Sequence, residues 1–250
     1  AIVVSAAGAV HHQSIVRHVE ALFGGLTHRE RGSESAAYYR GGFAGSNKPF
    51  EQSHVLIGFP GPSYLEPDFY TAQVFSGLFG GGMSSRLFQE IREERGLCYS
   101  IDSSIWGLRD TGMLSVHAAT SPELVDELAE VVAAQLTEIA EAGPTEPELQ
   151  RSKAQLKAGL LMALESSAAN AEQMARQLLT HDRLIPIAEL IEQVDAVDAA
   201  RIKAFARQLT SETPSVAVIG SGRKSSAQAS RISSRFAPIE APVAVGKAAR

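Results

Sequence analysis

Short apolar runs bounded by glycine and proline divide the chain into strands and helices. Residues 1–5 (AIVVS) and 53–59 (SHVLIGF) have the continuous apolar character that is typical of buried strands. The segments 97–106 and 112–119 are predicted to be two more strands joined by a turn, and residues 215–219 (SVAVI) a last strand.

Apolar residues at helical spacing predict most of the remaining elements. The predicted helices cover residues 11–23, 67–79, 84–94, a segment from Ser121 to Gly143, one helix from Thr145 to about Leu179, and two short helices at 185–193 and 195–209. Thr145-Glu146-Pro147-Glu148 has the capping-box pattern of a helix start. Because strands and helices occur in blocks, the order favours an α+β fold, with helices packed on one face of a mainly antiparallel sheet.

The same patterns suggest a division of the chain. Residues 1–28 form a strand and a helix that are too small to bury their own apolar surface, so we expect the C-terminal remnant of an earlier domain. Residues 29–50 are rich in Gly, Ser, Arg and Glu and are predicted to be a linker. Residues 51–222 form the second domain, and residues 223–250 a basic, poorly packed tail. Since the chain starts on apolar residues without a methionine, a truncated or processed product is expected.

Charge and composition exclude several classes of protein. The net charge is −5, and residues 223–250 hold six basic side chains against one acidic, so the body is more acidic still. An acidic body argues against nucleic acid as the ligand. No apolar stretch approaches the roughly 18 residues that span a bilayer, and no basic segment opens a signal peptide. We therefore expect no membrane span and favour a cytoplasmic over a secreted location, although the compartment is not encoded in these patterns.

Familiar catalytic motifs are absent from the sequence. It has no phosphate-binding loop, no complete G-x-G-x-x-G, no G-x-S-x-G, and neither H-E-x-x-H nor H-x-x-E-H. Gly220-Ser221-Gly222 follows a strand and is interpreted as its exit into the tail, with no periodic helix after it. Cys98, the single cysteine, is interpreted as an inert core residue. His54 and His117 lie within strands and are interpreted as packing residues, so we predict no metal site.

The informative segment is residues 80–101 (GGGMSSRLFQEIREERGLCYSI). Gly80, Gly81 and Gly82 leave a backbone free to adopt positive φ and open to close approach by a peptide or another protein, although a plain helix break is the alternative. In the following helix Arg86, Gln89, Glu90, Glu93 and Glu94 are expected to face water while Leu87, Phe88 and Ile91 pack. Arg92 lies near the helix end, where its charge favours the helix dipole. Tyr99 follows seven residues later in a strand, where a half-buried tyrosine would need no function.

This segment resembles the C-terminal domain of the zinc peptidases related to pitrilysin, insulin-degrading enzyme and the mitochondrial processing peptidase. Residues 2–26 are similar to the last strand and helix of that family's N-terminal domain, and residues 54–82 to the opening of its second domain. The resemblance covers about residues 1–222, and 80–101 is its most specific part.

The resemblance implies two homologous α+β domains that close around a chamber, the processing-peptidase-like metallohydrolase fold. The first domain of the family carries an H-x-x-E-H zinc motif, and the second carries no metal but an Arg and a Tyr seven residues apart. Arg92 and Tyr99 match that pair and are expected to hold a substrate carbonyl and to donate to an oxyanion. Gly80, Gly81 and Gly82 are the expected substrate-binding loop.

The expected function is thus the substrate-binding half of a zinc metalloendopeptidase, inactive alone because the zinc motif is absent from this chain. Zinc is expected in the full-length protein. The expected partners are a peptide substrate and a zinc-bearing N-terminal domain on the same chain or a homologous subunit, with a dimer as a further arrangement. Two alternatives stay open: a non-catalytic structural or partner subunit of the same fold, and a stand-alone peptide-binding module.

Overall fold

A computed structural model describes residues 2–27, 32, 35–221 and 224–236. In chain order the elements are α1 (His12–Phe23), β1 (Gly42–Lys48), β2 (Ser53–Gly61), α2 (Phe69–Gly80), a π-helix (Phe88–Glu94), β3 (Cys98–Gly107), β4 (Gly112–Thr120), α3 (Val125–Ala142), α4 (Glu146–Ala163), α5 (Ser167–His181), α6 (Ile187–Asp195), α7 (Ala199–Thr210), β5 (Ser215–Ser221) and α8 (Ser225–Arg235). In this part of the chain no helix is both long and apolar enough to cross a membrane.

The five strands form one sheet in the order β1-β5-β2-β4-β3. The pairs β2–β5, β2–β4 and β3–β4 are antiparallel, and only the edge pair β1–β5 is parallel. The predicted α+β fold with a mainly antiparallel sheet is therefore confirmed.

The core lies between one face of this sheet and the helices. Alternate strand residues point into it, which is why β2 alternates buried and exposed positions at its start and β4 buries Leu114, Val116 and Ala118. Helix α2 is apolar almost all round and is enclosed by β3, α4 and α7. The other face of the sheet carries His54, Asp102, Ser104 and other half-exposed or exposed side chains. We call it the open face.

The prediction of a buried strand at residues 1–5 is wrong for the described residues 2–5. They form no strand and Ile2 is 68% exposed. A strand needs a hydrogen-bonded neighbour, and none of the described strands pairs with this segment. The helix predicted at 11–23 is present as α1, but none of its residues is buried.

The predicted linker, residues 29–50, contains the strand β1. Its register runs from Gly42 opposite Ser215 to Lys48 opposite Ser221, so this segment belongs to the sheet. The strand escapes a periodicity argument because its sequence, GFAGSNK, has almost no apolar alternation. Gly45 is instead required by packing: a Cβ there would lie 2.3 Å from the backbone nitrogen of Ser226.

The predicted tail is also ordered where it is described, since α8 follows β5 and Phe236 ends it. Ala229, Ile232 and Phe236 enter the core, and Gln228 Nε2 donates to the carbonyl of Pro122 at 2.8 Å. The expectation of a poorly packed tail, with no helix after Gly220-Ser221-Gly222, fails because this helix buries small and polar residues that hydropathy does not detect. Residues 237–250 lie outside the described part.

Two helix boundaries also differ from the prediction. The long helix expected from Thr145 to about Leu179 is two helices, α4 and α5, separated at residues 164–166. The side chain of Ser166 accepts a hydrogen bond from the backbone nitrogen of Ala169 and so starts the second helix. Helix α3 begins at Val125, one turn after the expected Ser121.

Candidate functional site

The segment 86–99 forms a wide helical turn followed by a sharp reversal. The π-helix Phe88–Glu94 has Arg95 as its C-cap, and the next residue, Gly96, has a φ of +63°, the left-handed conformation that favours glycine. The backbone nitrogen of Leu97 donates to the carbonyl of Ile91 at 2.8 Å, which closes the turn. The chain then enters β3 through an irregular register between Cys98 and Ser100. π-Helical turns are rare and are often found at functional sites.

This reversal brings Arg92 and Tyr99 together. The guanidinium carbon of Arg92 lies 4.7 Å from the centroid of the Phe88 ring and 5.5 Å from that of Tyr99. Both distances allow a cation–π interaction. The side chain of Arg92 is 38% exposed and Tyr99 is 73% exposed, with Glu93 as the nearest acidic partner, 3.9 Å from Arg92 Nε. Sequence spacing alone could not establish that the two side chains share one accessible surface.

The three glycines have different surroundings. Gly80 is buried, and a Cβ there would lie 2.6 Å from the backbone nitrogen of Ser103, so this glycine lets α2 contact β3. A Cβ at Gly81 would lie 2.6 Å from Cα of Gly77, whereas Gly82 has open space around it. None of the three has a positive φ, which corrects the expectation that the run uses glycine's conformational freedom. Only Gly81 and Gly82 are exposed to a ligand.

Arg86 does not face water as expected, since its side chain is only 10% exposed. Its Nε and Nη2 donate to the two carboxylate oxygens of Glu148 at 2.6 and 3.0 Å, and its Nη1 lies 3.1 Å from Glu138. Glu148 also accepts from the backbone nitrogen and hydroxyl of Thr145, both at 2.7 Å, in the predicted capping box. We call Arg86, Glu138 and Glu148 the Arg86 clamp. It ties the start of the site segment to α3 and α4, and no motif in the sequence indicates it.

The Arg86 clamp changes the pKa of Arg86 and of Glu148. Burial lowers the pKa of Arg86, but the hydrogen bonds and charges of Glu148 and Glu138 outweigh it and raise the pKa overall. Burial raises the pKa of Glu148, but hydrogen bonds from Arg86 and Thr145 outweigh it and hold the pKa below its usual range. Both groups are therefore charged at neutral pH. A polar groove of about 600 Å³ lies beside the clamp, between Ser84, Gln89 and Gln135.

Cys98 directly precedes Tyr99 and is half-buried against the core. Burial raises the pKa of its thiol, and the charge of Arg92 opposes that effect without cancelling it. The thiolate that a nucleophile needs is thus disfavoured at neutral pH, which agrees with the interpretation of Cys98 as inert.

His54 and His117 do not pack in the core as expected. Their rings stack across neighbouring strands on the open face with centroids 5.5 Å apart. His117 Nδ1 lies 3.3 Å from Asp102 Oδ1. The strand positions were visible in the sequence, but the face that each strand exposes was not. Throughout the described ranges, no group of three or more His, Cys, Asp or Glu residues could hold a metal ion.

Comparison with protein families identifies the chain. Residues 1–156 match the family model described as the peptidase M16 inactive domain. A relative from Rickettsia bellii, named an uncharacterized zinc protease, is 36% identical over 217 residues, covering 86% of this chain and 52% of that protein. Proteins with the same description from Streptomyces coelicolor and Bacillus subtilis are 32% and 31% identical, over 88% and 87% of this chain and 50% and 53% of theirs. The chain thus spans about half the length of these curated relatives.

Solved structures support the fold. A crystal structure of a peptidase M16 inactive domain from Pseudomonas fluorescens matches 84% of this chain and 50% of that chain, with a TM-score of 0.73 and 22% identity. A chain of complex III2 from Candida albicans matches 91% of this chain and 57% of its own length, with a TM-score of 0.78 and 19% identity. The family model and the sequence relatives together show that the chain belongs to the M16 peptidase family, to the part of it described as the inactive domain.

Proposed function

We propose that this chain is the C-terminal, substrate-binding half of a zinc metalloendopeptidase that cleaves extended peptides in a closed chamber. The observation that carries the proposal is the exposed pair Arg92 and Tyr99, whose guanidinium carbon and ring centroid lie 5.5 Å apart. The relatives named zinc proteases support the reaction class. Their greater length leaves room for a second, zinc-bearing half.

The two side chains offer complementary donors to a peptide backbone. The Tyr99 hydroxyl can donate to the oxyanion that develops on the scissile carbonyl. The Arg92 guanidinium can hold a neighbouring carbonyl oxygen through a charge-assisted hydrogen bond. Stacking on Phe88 limits the freedom of Arg92, so less side-chain entropy is lost when the peptide binds.

The zinc itself does not fit the described residues, because they contain no cluster of ligands for it. We therefore assign the metal to the N-terminal domain, either on the same chain or on a homologous subunit, and expect this half to be inactive alone. Gly81 and Gly82 would let the peptide backbone approach beside the pair, while Gly80 serves packing.

The decisive experiment uses the full-length, zinc-loaded protein and an unstructured peptide. Tyr99→Phe should lower kcat/KM by about 100-fold or more, the usual size for an oxyanion donor. Arg92→Ala should lower kcat/KM mainly through KM. Tyr38→Phe is the matched control, since Tyr38 is an exposed tyrosine outside the site. Unchanged kcat/KM in both site variants would refute the assigned roles.

A second candidate function is that of a non-catalytic subunit, which the likeness to a chain of complex III2 favours at the level of the fold. In that case Arg92 and Tyr99 would contact a partner protein. The discriminating measurement is zinc content together with peptidase activity of the full-length protein. A metal-free, inactive protein that co-purifies in a stable complex would favour the subunit.

A further inference from the structure

Three side chains form a continuous polar chain across three strands of the open face. Asp102 on β3 lies directly opposite His117 on β4, and His54 on β2 is two residues out of register with His117. His117 Nδ1 lies 3.3 Å from Asp102 Oδ1, and His117 Nε2 lies 3.3 Å from His54 Nδ1. We call Asp102, His117 and His54 the imidazole array.

When the array holds no extra proton, the chemistry of its groups determines which atom donates and which accepts in each of its two contacts. A carboxylate only accepts, so His117 must donate to Asp102 from Nδ1. A neutral imidazole carries one N–H, so His117 Nε2 is then an acceptor and His54 must donate to it from Nδ1. It follows that His54 Nε2 carries a lone pair and no hydrogen. Both ends of the array, this nitrogen and the second oxygen of Asp102, are then acceptors.

One added proton converts His54 Nε2 from an acceptor to a donor, whichever ring takes the proton. If His54 is protonated, its Nε2 carries a hydrogen directly. If His117 is protonated, it donates from both nitrogens, so His54 Nδ1 becomes the acceptor and the hydrogen of His54 moves to Nε2. A second proton is opposed, because two N–H groups would face each other across the 3.3 Å contact.

The array is accessible and lies near the candidate site. The side chain of Asp102 is 58% exposed and that of His117 is 37% exposed, and His54 is exposed as well. Asp102 follows Tyr99 by three residues on β3, about 10 Å along the strand. Apart from the array, the charged side chain at an open-face strand position in the described part is Lys48. It lies on β1, two strands away from His54 on β2.

We propose that the imidazole array is a side-chain subsite for the bound peptide, selective for a basic side chain when unprotonated and switched by one proton to lose that selectivity. The unprotonated array offers two acceptors and one negative charge, which suit an ammonium or guanidinium group. The protonated array is neutral overall and presents a donor at His54. This inference rests on the proposed peptide-binding function and adds the class of side chain that it selects.

The first test is independent of any peptide. In 15N-histidine NMR of the 250-residue chain, His117 and His54 should both be Nδ1–H tautomers when the array holds no extra proton, and on acidification the two rings should take up one proton before a second. Asp102→Ala, which removes the acceptor, should abolish the tautomer preference of His117. Simultaneous uptake of two protons, or Nε2–H tautomers in the unprotonated array, would overturn the array.

The second test uses the full-length protein and two peptide series in which one Lys or one Glu is moved residue by residue. At one position of the peptide, the preference for Lys over Glu at about pH 7.5 should be two- to fivefold greater in the wild type than in Asp102→Asn or His54→Gln. This is the size expected of an exposed ion pair. The excess should fall as the pH is lowered and the array takes up its proton. Asp182→Asn and His18→Gln, exposed residues far from the array in sequence, serve as matched controls and should retain the excess.

The outcomes separate the two proposals. Peptides that bind with the same Lys-to-Glu ratio in wild type, Asp102→Asn and His54→Gln would overturn the subsite and leave the peptide-binding function intact. Failure of every peptide to bind would overturn both, whatever the NMR titration shows for the array.

Discussion

The guanidinium carbon of Arg92 lies over two aromatic rings, 4.7 Å from the centroid of Phe88 and 5.5 Å from that of Tyr99. The arrangement arises within twelve consecutive residues, because a left-handed Gly96 follows the π-helix and β3 begins irregularly at Cys98. The pair is therefore a local structure placed at the end of the sheet, and its position depends on what anchors that segment.

The Tyr99 hydroxyl should matter little for folding. No intramolecular hydrogen bond is recorded for it among the described residues, and the side chain is 73% exposed. Tyr99→Phe should leave the free energy of unfolding in urea within about 0.5 kcal/mol of wild type. Tyr99→Ala should cost about 0.5–1 kcal/mol through the lost cation–π contact. A larger loss in Tyr99→Phe would mean that the hydroxyl is structural and that its kinetic effect is indirect.

The Arg86 clamp should be the main anchor of the site segment. Arg86→Met keeps the aliphatic stem but removes the cation from Glu138 and leaves Glu148 with hydrogen bonds from Thr145 alone. We expect a loss of about 1–3 kcal/mol in the free energy of unfolding, because the largely buried Glu148 carboxylate loses its charged donor. Urea denaturation followed by circular dichroism measures it.

Arg95→Met is the matched control for the clamp. Arg95 lies in the same segment, is half-exposed, and reaches Glu90 only at 3.6 Å. Exposed ion pairs contribute about 0–1 kcal/mol, so this variant should stay close to wild type. Equal losses in both variants would show that the clamp has no special role.

The parts of this fold that sequence could predict are those with strong periodicity. Strands β2 and β4 and helix α2 are marked by apolar residues, and the Thr145 capping box is a local signal that the structure confirms. Strand β1 and helix α8 are not marked, because close backbone packing at Gly45 and buried polar residues replace apolar periodicity there.

The candidate site also has one part that the sequence could predict and other parts that it could not. The spacing of Arg92 and Tyr99 could be recognised from a family pattern, but the Arg86 clamp joins residues 62 positions apart, and the imidazole array depends on register. Both are products of tertiary structure. A charged residue in an amphipathic helix is normally solvent-exposed, which is why Arg86 was expected to face water.

The triple glycine should tolerate substitution unequally. Gly80→Ala would place a Cβ 2.6 Å from the backbone nitrogen of Ser103, which cannot move without shifting β3. We expect a loss of about 1–3 kcal/mol, as for other overpacked positions, measured as a lower midpoint of urea denaturation. Gly82→Ala has open space and should fold as wild type. Gly82→Ala therefore tests a role in peptide binding without disturbing the fold, and equal destabilisation in both would contradict the packing argument.

The Cys98 thiol should react slowly in the folded chain. Because burial raises its pKa, less thiolate is present at neutral pH than in an unfolded chain. Alkylation by iodoacetamide at about pH 7.5 should be slower than in urea-unfolded protein and should accelerate with rising pH. Arg92→Ala should slow it further, since the Arg92 charge lowers the thiol pKa. Faster alkylation in Arg92→Ala would show instead that Arg92 shields the sulfur.

Glu148 should make the fold sensitive to acid. Its folded-state pKa is held low because hydrogen bonds from Arg86 and Thr145 outweigh the effect of burial. Its contribution to stability is thus fully present above the unfolded-state pKa, about 4.3 for a glutamate, and is lost as the pH falls through the lower folded-state pKa. Glu148→Gln should be less stable than wild type at pH 7 and should lose less stability between about pH 5 and about pH 3. Urea denaturation across this range measures both effects. Glu141→Gln, an exposed position on α3, should keep the wild-type slope, and part of that slope should persist in Glu148→Gln because hydrogen bonds from Arg183 and Lys157 also lower the pKa of Glu189 and Asp195. An unchanged acid slope in Glu148→Gln would show that the clamp does not couple protonation to folding.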